Sequence, residues 1–167
     1  MFVTLAEHGS RGAARWTVVT FPAGLGVSLK RLMTPFSGQL KSMHFRIVSL
    51  EGAGGYPSLA VTEDILRGRC FTHLEFLGLC PEGGDVIWMT FVGSDDSEWL
   101  SGQPTRSECD EKASLLGFCA DGSDWTIAIR DPVLASKIRA AATRSTSLEA
   151  ESGFPVHPVR WDWEVHY

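Results

Sequence analysis

The sequence of 167 residues lacks most of the features that assign a chain to a specialised class. No apolar run approaches the roughly 20 residues that cross a membrane, and the first residues lack the basic start and apolar core of a signal peptide. The only cysteines are Cys70, Cys80, Cys109 and Cys119, without a Cys-x-x-Cys spacing. Because four dispersed cysteines are too few for a disulfide scaffold of this length, we expect free thiols in a reducing, cytoplasmic setting.

An excess of positive charge is also missing. Fifteen Lys and Arg stand against twenty Asp and Glu, which gives a formal net charge of -5. Nucleic-acid binders draw affinity from phosphate neutralisation, so we expect no nucleic-acid partner. The length and the apolar fraction of 44% fit a single domain over residues 1–167 with its own core. Six Trp and nine Phe form the compositional excess, which serves cores and interfaces alike.

Short alternating segments predict mainly β-structure. Residues 16–21 are β-branched and aromatic, and residues 43–50 alternate apolar and polar side chains. The strictest alternation is in residues 159–167, where Val, Trp, Trp, Val and Tyr share one side. One helix is predicted over residues 131–144, because Asp131 is a suitable N-cap and proline follows at the first helical position.

Two similar turn sequences predict two successive β-hairpins. Glu-Gly in the first and Asp-Gly in the second supply the turns, since Gly tolerates the positive φ that tight hairpin turns need. The four predicted strands are 71–79, 86–92, 113–119 and 125–130. The pattern Leu-Gly-x-Cys-x-x-Gly-x-Asp occurs in both hairpins, at residues 77–85 and 116–124. A duplicated hairpin and two unrelated hairpins both remain open.

These elements together predict an α+β fold that is mainly β. We expect an antiparallel curved sheet or barrel built from hairpins, with the helix 131–144 before a closing C-terminal strand. A two-sheet sandwich is the alternative architecture. Residues 93–108 form a long polar connection between the hairpins, and connections of this length are often lids or binding loops. We therefore expect function to reside there.

The first hypothesis for function is a cytoplasmic binding module that engages a protein partner through this connection. Asp95, Asp96 and Glu98 flank Trp99 and Leu100, an apolar anchor with an acidic rim. In size and charge the chain is similar to small cytoplasmic inhibitor or immunity proteins. Replacing the tryptophan by alanine should then abolish partner capture and leave the melting temperature nearly unchanged. Self-association into a homo-oligomer is compatible with the sequence.

The alternative is a barrel that holds an apolar small molecule, as a carrier or as a small cofactor-independent cyclase or isomerase. His73 and Glu75 are two residues apart on a predicted strand, so they would share a face with Thr90 and form a general acid/base pair. Trp88 would line the cavity. The order of strands, helix and closing strand is similar to that of lipocalin-like barrels, although the N-terminal Gly-x-Trp of that family is absent.

No motif indicates a metal or another cofactor. The cysteines lack the short spacing of structural zinc sites, and the acidic segments do not match the calcium-binding loop. Gly24-x-Gly26 follows a predicted strand but lacks the third glycine of a dinucleotide-binding turn. We therefore expect neither a cofactor nor a membrane partner, and the sequence does not decide whether the chain is an enzyme.

Overall fold

A computed structural model describes residues 16–22, 28–80, 86–102, 104–120 and 124–146. Within these ranges the chain forms one six-stranded antiparallel sheet and seven short α-helices. The fold is therefore α+β and mainly β, as the sequence predicts. The predicted C-terminal strand over residues 159–167 lies outside the described residues.

The described sheet is open. Its strands are β1 (Thr17–Pro22), β2 (His44–Gly52), β3 (Cys70–Thr72), β4 (Val86–Ser94), β5 (Leu115–Ala120) and β6 (Asp124–Ile129). They lie in the order β1-β6-β5-β4-β2-β3, and every neighbouring pair is antiparallel. Because β1 and β3 stand at opposite edges and do not pair, the predicted barrel is not formed by the described strands.

The helices lie on both faces of the sheet. They are α1 (Leu29–Met33), α2 (Ser37–Leu40), α3 (Leu59–Leu66), α4 (His73–Leu79), α5 (Ser97–Ser101), α6 (Arg106–Lys112) and α7 (Pro132–Thr146). A 3₁₀ turn over Thr34–Phe36 joins α1 to α2. The helices α1, α2, α4 and α7 bury side chains in a first core on one face. At the centre of this core the rings of Phe45 and Phe76 stack with centroids 4.3 Å apart, and Phe76 meets Phe91 at 4.7 Å.

A second, smaller core lies on the opposite face of the sheet. Its buried members are Val92, Leu116 and Ala128 from the strands and Leu100, Cys109 and Ala113 from the connection between β4 and β5. The long connection predicted as a polar loop is therefore two short helices that cover part of the sheet.

The first predicted hairpin is not formed, because β4 pairs with β2 and β5 and only β2 pairs with β3. Residues 73–79 form helix α4, because Thr72 and Glu75 make a capping box at its start. The Glu75 carboxylate accepts from the Thr72 backbone N–H at 2.8 Å, and the Thr72 hydroxyl accepts from the Glu75 N–H at 3.4 Å. These bonds satisfy donors that a new helix leaves free. Trp88 packs edge-on against Phe118, with ring centroids 4.9 Å apart.

The second predicted hairpin and the C-terminal helix are confirmed. Strands β5 and β6 pair with Cys119 opposite Trp125 and Phe118 opposite Thr126. The turn itself lies outside the described residues. Helix α7 begins as predicted, because the Asp131 carboxylate accepts from backbone N–H groups of its first turn.

The shared Leu-Gly-x-Cys pattern does not mark a repeated hairpin. Leu77 lies in helix α4, whereas Leu116, at the matching place in the pattern, lies in strand β5. Two copies of one hairpin would place both residues on strands. The interpretation of this pattern as a duplicated hairpin is therefore wrong.

Candidate functional site

The connection between β4 and β5 folds as helices because each begins with a side-chain cap. Asp96 caps α5, where its carboxylate accepts from the Trp99 N–H at 2.9 Å. Thr105 and Glu108 form a capping box at α6, with the Glu108 carboxylate 2.8 Å from the Thr105 backbone N. Local hydrogen bonds of this kind fix where a short helix starts. The polar residues of this connection are therefore partly structural.

Helix α5 is held on the sheet by side chains from β2 and from the turn that precedes β2. The Arg46 guanidinium donates to the backbone oxygen of Leu100 at 2.9 Å. The Ser42 hydroxyl donates to the Asp95 carboxylate at 2.7 Å. Both bonds join residues far apart in the sequence, so the position of α5 is set by tertiary contacts. A surface held in this way meets a partner with little loss of conformational freedom.

Trp99 and Leu100 do not project together as an anchor. Leu100 is 0% exposed and belongs to the second core. Trp99 is half-buried and packs against the same core, and its indole Nε1 is buried without a hydrogen-bond partner among the described residues. Because the ring is part of this packing, we expect Trp99→Ala to lower stability, in contrast to the nearly unchanged melting temperature that the sequence predicts.

The outer side of α5 and α6 is acidic. Its exposed carboxylates belong to Asp95, Asp96, Glu98, Asp110 and Glu111. We call these five residues the acidic surface. Both helices contribute to the same core beneath them, so their outward sides lie on the same side of the molecule. A cluster of carboxylates with one dominant sign attracts cationic groups and repels anionic ones.

The pKa values of Glu108 and Cys109, which neighbour the acidic surface, are shifted in the folded chain. Hydrogen bonds from the Thr105 backbone and hydroxyl, together with Lys112, hold the pKa of Glu108 below its ordinary value. Burial raises the pKa of the Cys109 thiol to about 11, and Asp110 and Glu108 add to this shift. At neutral pH the carboxylate is therefore ionised and the thiol is protonated.

Trp88 is separate from the acidic surface. It lies near the start of β4, whereas Asp95 follows the end of that strand. At roughly 3.3 Å per residue, the two residues are about 20 Å apart along the strand direction. Trp88 is 37% exposed, so it is accessible in its own right. The structure therefore does not bring it together with the other predicted binding residues.

His73 and Glu75 do not form an acid–base pair. They lie on helix α4 and not on a strand, and two positions on a helix point about 200° apart at roughly 100° per residue. His73 is buried, whereas Glu75 is exposed and accepts from Arg69 at 2.8 Å. Hydrogen bonds from the Thr72 backbone and hydroxyl, then the charge of Arg69, lower the pKa of the Glu75 carboxyl. The predicted shared face is wrong.

The described residues contain no group of three or more His, Cys, Asp or Glu side chains that would hold a metal ion. None of the four cysteines forms a disulfide, and the thiols of Cys80, Cys109 and Cys119 are buried. In the parts of the chain that the structure covers, no helix is both long and apolar enough to pass through a membrane.

Sequence reasoning missed several residues of this region. Asp110 and Glu111 follow the Thr-x-x-Glu signature of a capping box, and this signal places them on the outer side of a short helix. Ser42 and Arg46 had no such signal, because their partners lie 53 and 54 residues further along the chain. Contacts of that range depend on the sheet order and cannot be read from a local pattern.

Comparison with known proteins does not assign the chain to a family. Family models, curated proteins and solved structures provide no match to the chain. Function is therefore inferred from the residues and their arrangement.

Proposed function

We propose that the chain is a cytoplasmic binding module and that its acidic surface engages a basic segment of a protein partner. The observation that supports this most directly is the exposure of five carboxylates, two just before α5 and three on α5 and α6, whose inner sides are packed in one core. Small inhibitor or immunity proteins are similar in size and charge. In this proposal the carboxylates supply recognition, and Leu100 acts from beneath by holding α5 in place.

The energetics of such a surface favour selectivity and fast association over large affinity. Complementary charges steer a basic partner towards the surface and disfavour acidic competitors. The hydrogen bonds from Arg46 and Ser42 hold the backbone in advance, which limits the entropy lost on binding. The accessible part of Trp99 offers a small apolar contact beside the carboxylates. Because exposed charges are screened by salt, binding should weaken as ionic strength rises.

The cysteines support the cytoplasmic part of the proposal. None of the four cysteines is joined in a disulfide, and three of their thiols are buried in the cores. Secreted domains usually convert cysteines into disulfides, whereas cytoplasmic proteins keep them reduced.

The ligand-holding alternative has less support. It requires a closed barrel and a shared face for His73 and Glu75. The described sheet has two free edges, and the two side chains lie on different sides of a helix. No observation on the described residues favours this alternative over the binding module.

The proposal is tested by affinity capture from native cell extract with matched charge variants. The test variant is Glu98→Gln with Glu111→Gln, which removes two exposed carboxylates from the acidic surface. The control is Glu51→Gln with Glu63→Gln, which removes two exposed carboxylates elsewhere. We expect wild type and control to capture the same protein at low salt, and the test variant to lose it. Equal capture by both variants would contradict the proposal.

The captured protein is then purified and its affinity is measured directly. We expect the dissociation constant to rise with ionic strength in wild type and to depend less on salt in the Glu98/Glu111 variant. Equal melting temperatures of the two variants would show that charge, and not folding, accounts for the difference.

A further inference from the structure

The face of the sheet that carries the second core extends beyond the area that α5 and α6 cover. The core beneath these helices takes one residue from each of β4, β5 and β6, namely Val92, Leu116 and Ala128. Two positions further along these strands lie Thr90, Phe118 and Thr126, which are cross-strand neighbours. Phe118 is half-buried and is not a member of the second core.

Trp88 and Phe118 form an aromatic corner on this part of the face. Met89 and Cys119 belong to the first core, so the residues next to them along β4 and β5 point to the opposite side. The two rings meet with centroids 4.9 Å apart and an angle of 86° between their planes. In such an edge-to-face arrangement, which aromatic pairs favour, a small group beside the contact touches both rings. Trp88 is exposed enough to receive one.

Asp124 lies beside this corner on β6. Trp125 belongs to the first core, so Asp124 points to the same side as the two rings. It is exposed, and its carboxylate has neither a hydrogen-bond partner nor an ion pair among the described residues. Partial desolvation raises the pKa of this carboxyl group. A positive charge nearby favours the ionised form of a carboxyl group, so a bound cation would stabilise it here.

Trp88 and Asp124 lie at the same level on either side of β5. Trp88 precedes Met89, which pairs with Cys119, and Asp124 pairs with Ala120, the next residue of β5. Two spacings between neighbouring strands separate them, which is about 9–10 Å. One ammonium group with its methyl substituents can therefore contact the indole and the carboxylate together.

We propose that Trp88, Phe118 and Asp124 bind the quaternary ammonium group of a small organic cation of the choline type. An aromatic ring attracts a cation to its face, and tryptophan does so most strongly. A fully methylated ammonium group has no N–H to donate, so the ring faces replace the hydrogen bonds that an ordinary amine needs. The carboxylate adds attraction for the positive charge and repels phosphates and other anions.

This site is independent of the acidic surface. It lies on an open sheet face, and the two are about 20 Å apart along β4. Trp99 provides an internal comparison, because it lies beside the carboxylates of the acidic surface and contacts no second aromatic ring among the described residues. A site built by the rings and a site built by negative charge alone therefore give different results at the two tryptophans.

Titration of the full chain with choline, followed by nuclear magnetic resonance, tests the proposal. The readout is the indole N–H signal of Trp88 in nitrogen-labelled protein, assigned by its loss in Trp88→Phe. The comparison ligand is neohexyl alcohol, which has the shape of choline with a carbon atom in place of the charged nitrogen. Asp124→Asn removes the charge and keeps both rings. Glu63→Gln is the control, because it removes an exposed carboxylate from α3.

We expect choline to shift the Trp88 signal with a dissociation constant of about 10 mM or less, and the neutral alcohol to bind at least about tenfold more weakly. Choline should bind Asp124→Asn about three- to tenfold more weakly than wild type, and Glu63→Gln as tightly as wild type.

Equal affinity for choline and the alcohol would overturn the proposal, because an apolar site does not distinguish them. A shift of the Trp99 signal as large as that of Trp88 would also overturn it, since choline would then follow the negative charge and not the rings. The same holds for a Trp88 signal that does not move up to about 100 mM choline, or for unchanged affinity in Asp124→Asn. The comparison of the two ligands uses wild-type protein, so it remains decisive if a variant does not fold.

Discussion

The phenyl ring of Phe91 lies directly against the backbone of Gly117, its cross-strand neighbour on β5. A Cβ atom at Gly117 would come within 2.0 Å of the ring. Phe45 uses the space beside Gly93 in a similar way, where a Cβ would lie 2.8 Å from its ring. The absence of side chains at these two glycines lets the large rings of the first core lie close to the sheet.

This relationship predicts that Gly117→Ala is destabilising. The added methyl group would displace the Phe91 ring, and overpacking of this kind typically costs about 1–3 kcal/mol in the free energy of unfolding. Gly78→Ala is the matched control, because Gly78 occupies the equivalent place in the shared sequence pattern but lies exposed in α4 with open space around it. Alanine favours a helix by up to about 1 kcal/mol over glycine, so the control should be neutral or more stable. Urea unfolding of both variants measures the difference, and equal effects would contradict this explanation.

The two glycines also show why the sequence predicts only part of the fold. Gly78 and Gly117 occupy the same place in the local pattern. They differ because the Phe91 ring, which comes from another strand, packs against Gly117. The alternation in residues 71–79 favoured a strand, whereas the Thr72–Glu75 capping box favours a helix and prevails. That box was readable from the sequence, as was the one at Thr105. Strands β1, β2, β4, β5 and β6 and helix α7 were predictable because propensity, alternation and capping agree there.

The sequence predicts the acidic residues before and within α5, but it does not predict the helix that carries them. The acids at 95, 96 and 98 indicate a solvated segment. Of the five binding residues predicted in this segment, Asp95, Asp96, Glu98 and Trp99 are at least partly exposed. The fifth, Leu100, is buried because α5 turns it towards the sheet. The Arg46 bond that holds this turn depends on the position of β2 beside β4, and no local pattern contains that information.

Leu100→Ala should destabilise the fold strongly. Leu100 is fully buried, and truncation of a buried leucine costs about 2–5 kcal/mol through lost contacts and the cavity that remains. Glu98→Gln, two residues away on the exposed side of α5, should change the free energy of unfolding by less than about 0.5 kcal/mol. Thermal or urea unfolding distinguishes the two variants. A small effect of Leu100→Ala would show that α5 does not pack on the sheet in solution.

The two capping boxes predict a loss of stability in acid. Glu75 and Glu108 have lowered pKa values in the folded chain, because each accepts hydrogen bonds from the threonine that caps its helix. A carboxyl group with a lower pKa in the folded state stabilises it above the unfolded pKa of about 4.3, and this contribution is lost as the pH falls through the folded pKa. Glu75→Gln with Glu108→Gln should therefore flatten the fall in the urea midpoint below that pH. The Glu51→Gln and Glu63→Gln variant, which leaves both boxes intact, should retain the steep fall.

The four thiols should differ sharply in reactivity with an alkylating reagent. Cys70 is half-buried, and its sulfur lies 3.5 Å from the Ser101 hydroxyl at the end of α5. Cys80, Cys109 and Cys119 are buried, and burial raises the pKa of the Cys80 thiol and brings that of Cys109 to about 11. Because the thiolate is the reactive form, burial slows the reaction of these two thiols both by disfavouring the thiolate and by limiting access.

We expect native protein to take up one label per chain, at Cys70, and urea-unfolded protein to take up four. Peptide mapping by mass spectrometry identifies the site, and Cys70→Ser is the control that should leave native protein unlabelled. Labelling of Cys109 as fast as Cys70 would mean that α6 opens from the second core on the timescale of the reaction. In that case the acidic surface would be a mobile cover, and the rigid attachment that supports its proposed role in binding would not hold.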